Sequence, residues 1–193
     1  MIQFLFLIFL KFIISLSSAN DMEITRSILQ KFVKTLPSKI RGDREFIVGD
    51  CIGEKWDKCV RKHFWETLTK LFCQSFEISE DEARKYVYVE GFNRIPSDRR
   101  GNAFFGSKMY PDAAIISPEF SAAIELDHGK TGSKIRNSLA KASFSVILGE
   151  YDCAIVLFFV DLPKSTTDFH IGEMEKRIIE IYQTHFNTTL YLV

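Results

Sequence analysis

Net charge is the first thing this sequence lacks: 25 lysines and arginines balance 25 acids across 193 residues. A zero balance excludes a chain that coats nucleic acid by bulk charge and leaves only local patches to bind phosphate. A CxxC pair is also missing. Cys51, Cys59, Cys73 and Cys153 are irregularly spaced, and Cys59, His63 and Cys73 do not match the spacing of a structural zinc site. Reduced, mostly buried thiols are therefore expected, which suits a reducing compartment and a cytoplasmic location. Internal repeats and low-complexity tracts are absent, and 46% apolar with 26% charged residues describes an ordinary globular chain.

Residues 1–19, "MIQFLFLIFLKFIISLSSA", lack the basic opening of a secretory signal. Lys11 interrupts an apolar run already short of the ~20 residues a membrane span needs. The run nevertheless ends in small residues, as a signal does. Three readings stay open: a translation start at Met22, a signal or anchor that would make the protein secreted or membrane-anchored, and a structural segment. Residues 1–21 are set apart as a leader, and residues 22–193 are read as a single domain with a real core.

Helical spacing of Ile24, Ile28, Leu29, Phe32, Val33 and Leu36 predicts a helix stopped by Pro37. A second helix is predicted over about 55–76, with Trp56, Val60, Phe64, Leu68, Leu71 and Phe72 as its apolar stripe. Lys58, Arg61, Lys62 and Lys70 face elsewhere. Ser79 and Glu82 form a capping box for a short helix. Residues 93–109 read as an exposed basic loop. "DAAIIS" and "FSAAIELD", joined by "PE", predict a hairpin. Ile135, Leu139, Ala142 and Val146 predict a helix closed by Gly149. "CAIVLFFVD" reads as a strand covered on both faces, followed by a helix over about 172–186 and a last strand, "TTLYLV". This order predicts an α/β or α+β fold, a mixed sheet with helices on both sides.

Side chains alternate along a strand, so Glu125 and Asp127 share a face, and Asp112 can join them across the hairpin. Carboxylates gathered in so apolar a stretch are costly unless a cation compensates them. Mg²⁺ takes one or two carboxylates together with phosphate oxygens, so metal-assisted hydrolysis of a phosphodiester is the implied chemistry. From His128 to Gly149 the chain has no acid but carries Lys130, Lys134, Arg136 and Lys141. Gly129 and Gly132 would let the backbone approach a phosphate, and a helix starting near Ser133 would aim its amides at it. "GKTG" is not a phosphate-binding P-loop, because Ile124 stands where that motif needs glycine, and no nucleotide cofactor is expected.

"YPD", an apolar hairpin, "IELD" and a following helix resemble the PD-(D/E)XK nuclease superfamily, most closely its type II restriction endonucleases. The similarity spans roughly Phe104 to Val160. It implies the αββαβ core of restriction endonucleases, with Asp112 and Glu125 as Mg²⁺ ligands. The family's usual lysine position holds Asp127, expected as a further ligand or base, so Lys130 is the first candidate for the lysine role and Lys134 the second. An upstream acid, Glu82 or Glu90, is a further candidate ligand. His128 is a lesser candidate base; a residue that hydrogen-bonds its neighbours is the plainer reading. Arg94, Arg99, Arg100, Lys108 and Lys134 are candidate DNA contacts, made to phosphates without reading sequence. The expected activity is Mg²⁺-dependent cleavage of double-stranded DNA by a homodimer whose two-fold axis matches a palindrome. The alternative is a catalytically inactive nucleic-acid-binding or interaction domain of the same fold. The "NTT" acceptor at Asn187 matters only for a secreted chain.

Overall fold

The computed structural model describes residues 24–43, 47–48, 51, 56–96, 103–104, 107–108, 110–129, 132–160 and 171–193. The leader therefore lies outside the described residues. Helix α1 spans Arg26–Gly42 and α2 spans Trp56–Phe76; a short α3, Glu80–Ala83, leads into strand β1, Val87–Val89. A two-stranded ribbon follows, β2 (Ala103–Phe104) against β3 (Ser107–Lys108). The hairpin strands are β4, Ala113–Ile116, and β5, Ser121–Gly129. Next come α4 (Gly132–Ile147), β6 (Cys153–Val160), α5 (Glu173–Phe186) and β7 (Thr188–Leu192).

The five-stranded sheet runs β1-β4-β5-β6-β7. The pairs β1–β4 and β4–β5 are antiparallel, whereas β5–β6 and β6–β7 are parallel. The parallel pairs follow from the helical crossovers α4 and α5, because parallel neighbours cannot be joined by a tight turn. The α/β class with a mixed sheet between helices is thus the observed one.

Strand alternation divides the interior in two. Val87, Val89, Ala113, Ile115, Ala122, Ile124, Leu126, Ile155, Leu157 and Phe159 pack with Leu29, Phe32, Leu36, Val60, Phe64, Leu68 and Phe72 of α1 and α2. On the other face Ala114, Ile116, Ala123, Ala154, Val156 and Phe158 meet Ile135, Leu139 and Ala142 of α4. The α5 residues Ile179 and Tyr182 pack against that second cluster. β6 is buried on both faces, as its unbroken apolar run requires.

Several local expectations hold. The Ser79 hydroxyl caps α3 by accepting from Glu82 N. The β4–β5 turn is closed by Ser117, whose Oγ accepts from Phe120 N at 3.0 Å. Gly149 ends the α4 segment with φ +75°, a conformation that favours glycine.

Other expectations are corrected. The first helix does not stop at Pro37 but continues to Gly42. Ile40 extends the Leu29, Phe32, Val33, Leu36 stripe and is fully buried, and this packing offsets the backbone bond that proline removes. Strand β1 was hidden because its three residues follow a helix with no turn signal between them. The expected loop 93–109 contains the β2–β3 ribbon. The thiols are not all reduced: Cys51 and Cys59 form a disulfide, while Cys73 and Cys153 are free. Their Cα atoms lie 5.5 Å apart, within bridging range.

Candidate functional site

The hairpin register determines the site. Ala113 pairs with Ile124, so the next residues outward, Asp112 and Glu125, stand opposite each other. Val89 pairs with Ala113, and Glu90 N donates to Asp112 O at 2.9 Å, which continues the row into β1. Glu90, Asp112 and Glu125 therefore lie in line across three adjacent strands. Alternation turns them towards the α4 side.

Two of these acids are deeply buried: Asp112 is 4% exposed and Glu125 3%. Each is held by specific donors. Asp112 Oδ2 accepts from Leu126 N at 2.8 Å, and Oδ1 accepts from Arg61 Nη2 at 2.5 Å. The other arm of the same guanidinium reaches Glu90 Oε2 at 2.7 Å. Glu125 Oε2 accepts from Lys141 Nζ at 2.5 Å. Burial, and after it the Asp112 charge, pushes the Glu125 carboxyl well above the ordinary carboxylate range, with Lys141 pulling the other way. Burial also works against the Lys141 ammonium, but the Glu125 and Asp112 charges outweigh it and hold its pKa up.

Asp127 shares the Glu125 face but is otherwise engaged. Its Oδ1 accepts from His128 N at 2.7 Å, and its Oδ2 accepts from the Ser138 hydroxyl of α4. Among the described residues, the one group of three side chains with ligand atoms within 4.8 Å of one another is Cys51, Cys59 and His63. The three acids Asp112, Glu125 and Asp127 do not form such a group. Asp112 and Glu125 meet; Asp127 ties β5 to α4 beside them.

The remaining candidates scatter. Lys130, Arg99 and Arg100 lie outside the described residues, and Lys108 is described only as part of strand β3. Lys134 Nζ donates to His128 O at 3.1 Å. Its chain crosses Gly129, where an added Cβ would lie 2.7 Å from Lys134 Cδ. A Cβ on Gly132 would meet Glu175 at 3.3 Å, so both glycines make room for protein side chains. His128 sits on the opposite face of the sheet from Glu125, with its ring stacked on Trp56 at 4.0 Å. Arg94 lines a cavity of about 270 Å³ with Glu90, Tyr110 and Pro111, directly beside the acid row. Of the two upstream acids, Glu90 joins the row, whereas Glu82 pairs with Lys85 at the surface.

A larger cavity, about 540 Å³, opens at the starting ends of β6 and β7. Its chemistry is quieter. Arg26 there is engaged by Asp152 at 2.9 Å, and burial raises the Cys153 thiol to about 11, leaving it un-ionised at neutral pH.

Arg61 and Lys141 are the two residues against the acid row that the sequence did not place there. Lys141 had one legible signal: with Ser138 it adds polar residues, one helical turn apart, next to the buried stripe of α4. Arg61 had none, since it looked like one more cation on a basic helix. No protein-family model, curated protein or solved structure matches the chain.

Proposed function

We propose that the protein is a Mg²⁺-dependent endonuclease that hydrolyses phosphodiester bonds of double-stranded DNA, in the manner of type II restriction enzymes. One observation carries this reading: Asp112 and Glu125 face each other, buried, at adjacent central strands, with the Lys141 ammonium on Glu125. Two neighbouring carboxylates in an apolar interior, one of them pushed towards its protonated form, make a site where a hard dication can take the place of a proton. Their oxygen donors suit Mg²⁺. Asp112 and Glu125 would hold it, and Glu90, two strands from Glu125, is in line to contribute. When bound, the ion supplies an activated water and neutralises charge on the departing oxygen.

The chain's own groups supply the rest. Lys141 remains an ammonium among these acids, so it acts as a donor and a charge stabiliser for a phosphoryl oxygen rather than as a base. It takes the role that Lys130 was expected to fill. Asp127 acts as a positioning residue: it anchors Ser138, one turn before Lys141, to the same strand that carries Glu125. Arg61 orients Asp112 and Glu90 together. Arg94, beside the row, is placed for a flanking phosphate. Cutting both strands calls for two such sites, hence a homodimer.

A plasmid digest tests the reading. Wild-type protein with Mg²⁺ should nick or linearise plasmid, and EDTA should stop it. Asp112→Asn and Lys141→Met should each lower the rate at least about 100-fold while DNA binding is retained. Undiminished cleavage by Asp112→Asn would remove the assignment.

One observation favours a second reading, a DNA-binding or interaction domain without catalysis. Arg61 and Lys141 already balance Asp112 and Glu125 without any metal. Under that reading Mg²⁺ titration leaves the Glu125 environment unchanged, and plasmid stays intact at every metal concentration. A cytoplasmic location belongs to the same proposal; among the described residues no helix is long and apolar enough to cross a membrane.

A further inference from the structure

We propose that Cys51, Cys59 and His63 form a zinc site in the reduced protein, which the Cys51–Cys59 disulfide closes. Cys59 and His63 are four residues apart on α2, so one helix presents both side chains on the same face. Cys51 meets them at the same point, and one ligand atom from each residue lies within 4.8 Å of the others. Two thiolates and an imidazole are a soft, nitrogen-and-sulfur donor set. That set selects zinc over the oxygen-seeking cations.

The geometry asks for little movement. Zn–S bonds of ~2.3 Å arranged tetrahedrally place two sulfurs about 3.8 Å apart, so the sulfurs part after reduction while the His63 ring, already within 4.8 Å of them, closes on the ion. Cys51 is buried while Cys59 and His63 are half-buried, which leaves the fourth coordination position open to water or one external ligand. The Glu66 carboxylate lies 3.8 Å from His63 Nδ1, positioned as an outer partner for a ligating imidazole. Of the two free cysteines, Cys73 is 14 residues further along α2 than Cys59, in a different part of the helix, and Cys153 lies on β6.

Disulfide and zinc exclude each other. A dithiol reductant supplies two electrons to the Cys51–Cys59 bond and is itself oxidised to a disulfide, leaving two protein thiols. Zinc binding then displaces the two thiol protons. In reverse, a low-molecular-weight disulfide takes two electrons from the bound thiolates; the protein S–S bond forms, and two external thiolates and Zn²⁺ leave.

The test uses Zn²⁺ alone on the full chain, reduced by excess dithiol, desalted without oxygen, and titrated against a chelating dye. Reduced wild-type protein should take up one tightly held zinc, and Co²⁺ in its place should give a thiolate-to-metal absorption band. Oxidised protein should take none. His63→Gln should weaken binding at least about 10-fold, and Cys51→Ser with Cys59→Ser should abolish it. Cys73→Ser and Asp112→Asn should retain full stoichiometry, with circular dichroism checking that every variant is folded. Zinc uptake by reduced wild-type protein no greater than by the folded Cys51→Ser/Cys59→Ser variant would overturn the proposal. Loss of uptake in Asp112→Asn would overturn it too, by placing the ion among the acids. Neither result depends on nuclease activity.

Discussion

Glu125 sits 3% exposed between an acid and an ammonium, and its charge state follows from that position. Its ordinary value is 4.5, and burial, then Asp112, raise it well above that. An acid raised in the fold binds more protons folded than unfolded, so its contribution favours the fold at low pH. That contribution is lost as pH climbs from 4.5 through the raised value. Glu125→Gln removes this dependence. In EDTA, its melting temperature relative to wild type should therefore rise between about pH 5 and about pH 8, on top of a constant offset from the change of side chain. A difference that stays flat across that range would mean the carboxyl is not raised. Asp112 and Glu125 were legible in the sequence because period-two alternation in an apolar hairpin marks any acid as an anomaly. Lys141 was not, because 16 residues separate it from Glu125 and its approach depends on how α4 rotates over the sheet.

Helices and strands were read more surely where a long apolar pattern left no alternative. The buried run of β6, the stripe of α4 and the Ser117 turn all stand where periodicity placed them. Failures came where a local rule competed with packing. Proline predicts a stop, yet α1 carries Pro37 inside it and buries Ile40 one turn later. Ile40→Ala should therefore cost about 2–4 kcal/mol in urea unfolding, the usual range for a truncated core isoleucine. A helix ended by Pro37 would leave that side chain in solvent, and the substitution would then cost almost nothing. The short β1 was lost for the opposite reason: three residues are too few to show a period, and its partner in β4 decides its existence.

At the scale of the molecule, the disulfide ties Cys51 to the helix that carries Arg61. The bridge closes a loop with a sequence separation of only 8, so chain-entropy arguments assign it about 2.5 kcal/mol. Metal-free protein treated with dithiol in EDTA should unfold at correspondingly lower urea concentration than the oxidised form; identical midpoints would show that packing alone holds Cys51 in place. The three-layer arrangement was readable from element order, because strands alternating with helices leave few other solutions. Which strands would be neighbours was only half readable. The hairpin declared itself, but the placement of β1 beside β4 rests on pairs 24–28 residues apart, as in Val87 with Ile115.

Arg61 and Lys141 reach the acid pair from opposite layers, one from α2 and the other from α4. The acid pair is therefore fully counter-charged only with both layers docked, and one buried ionic cluster ties the two halves of the interior together across the sheet.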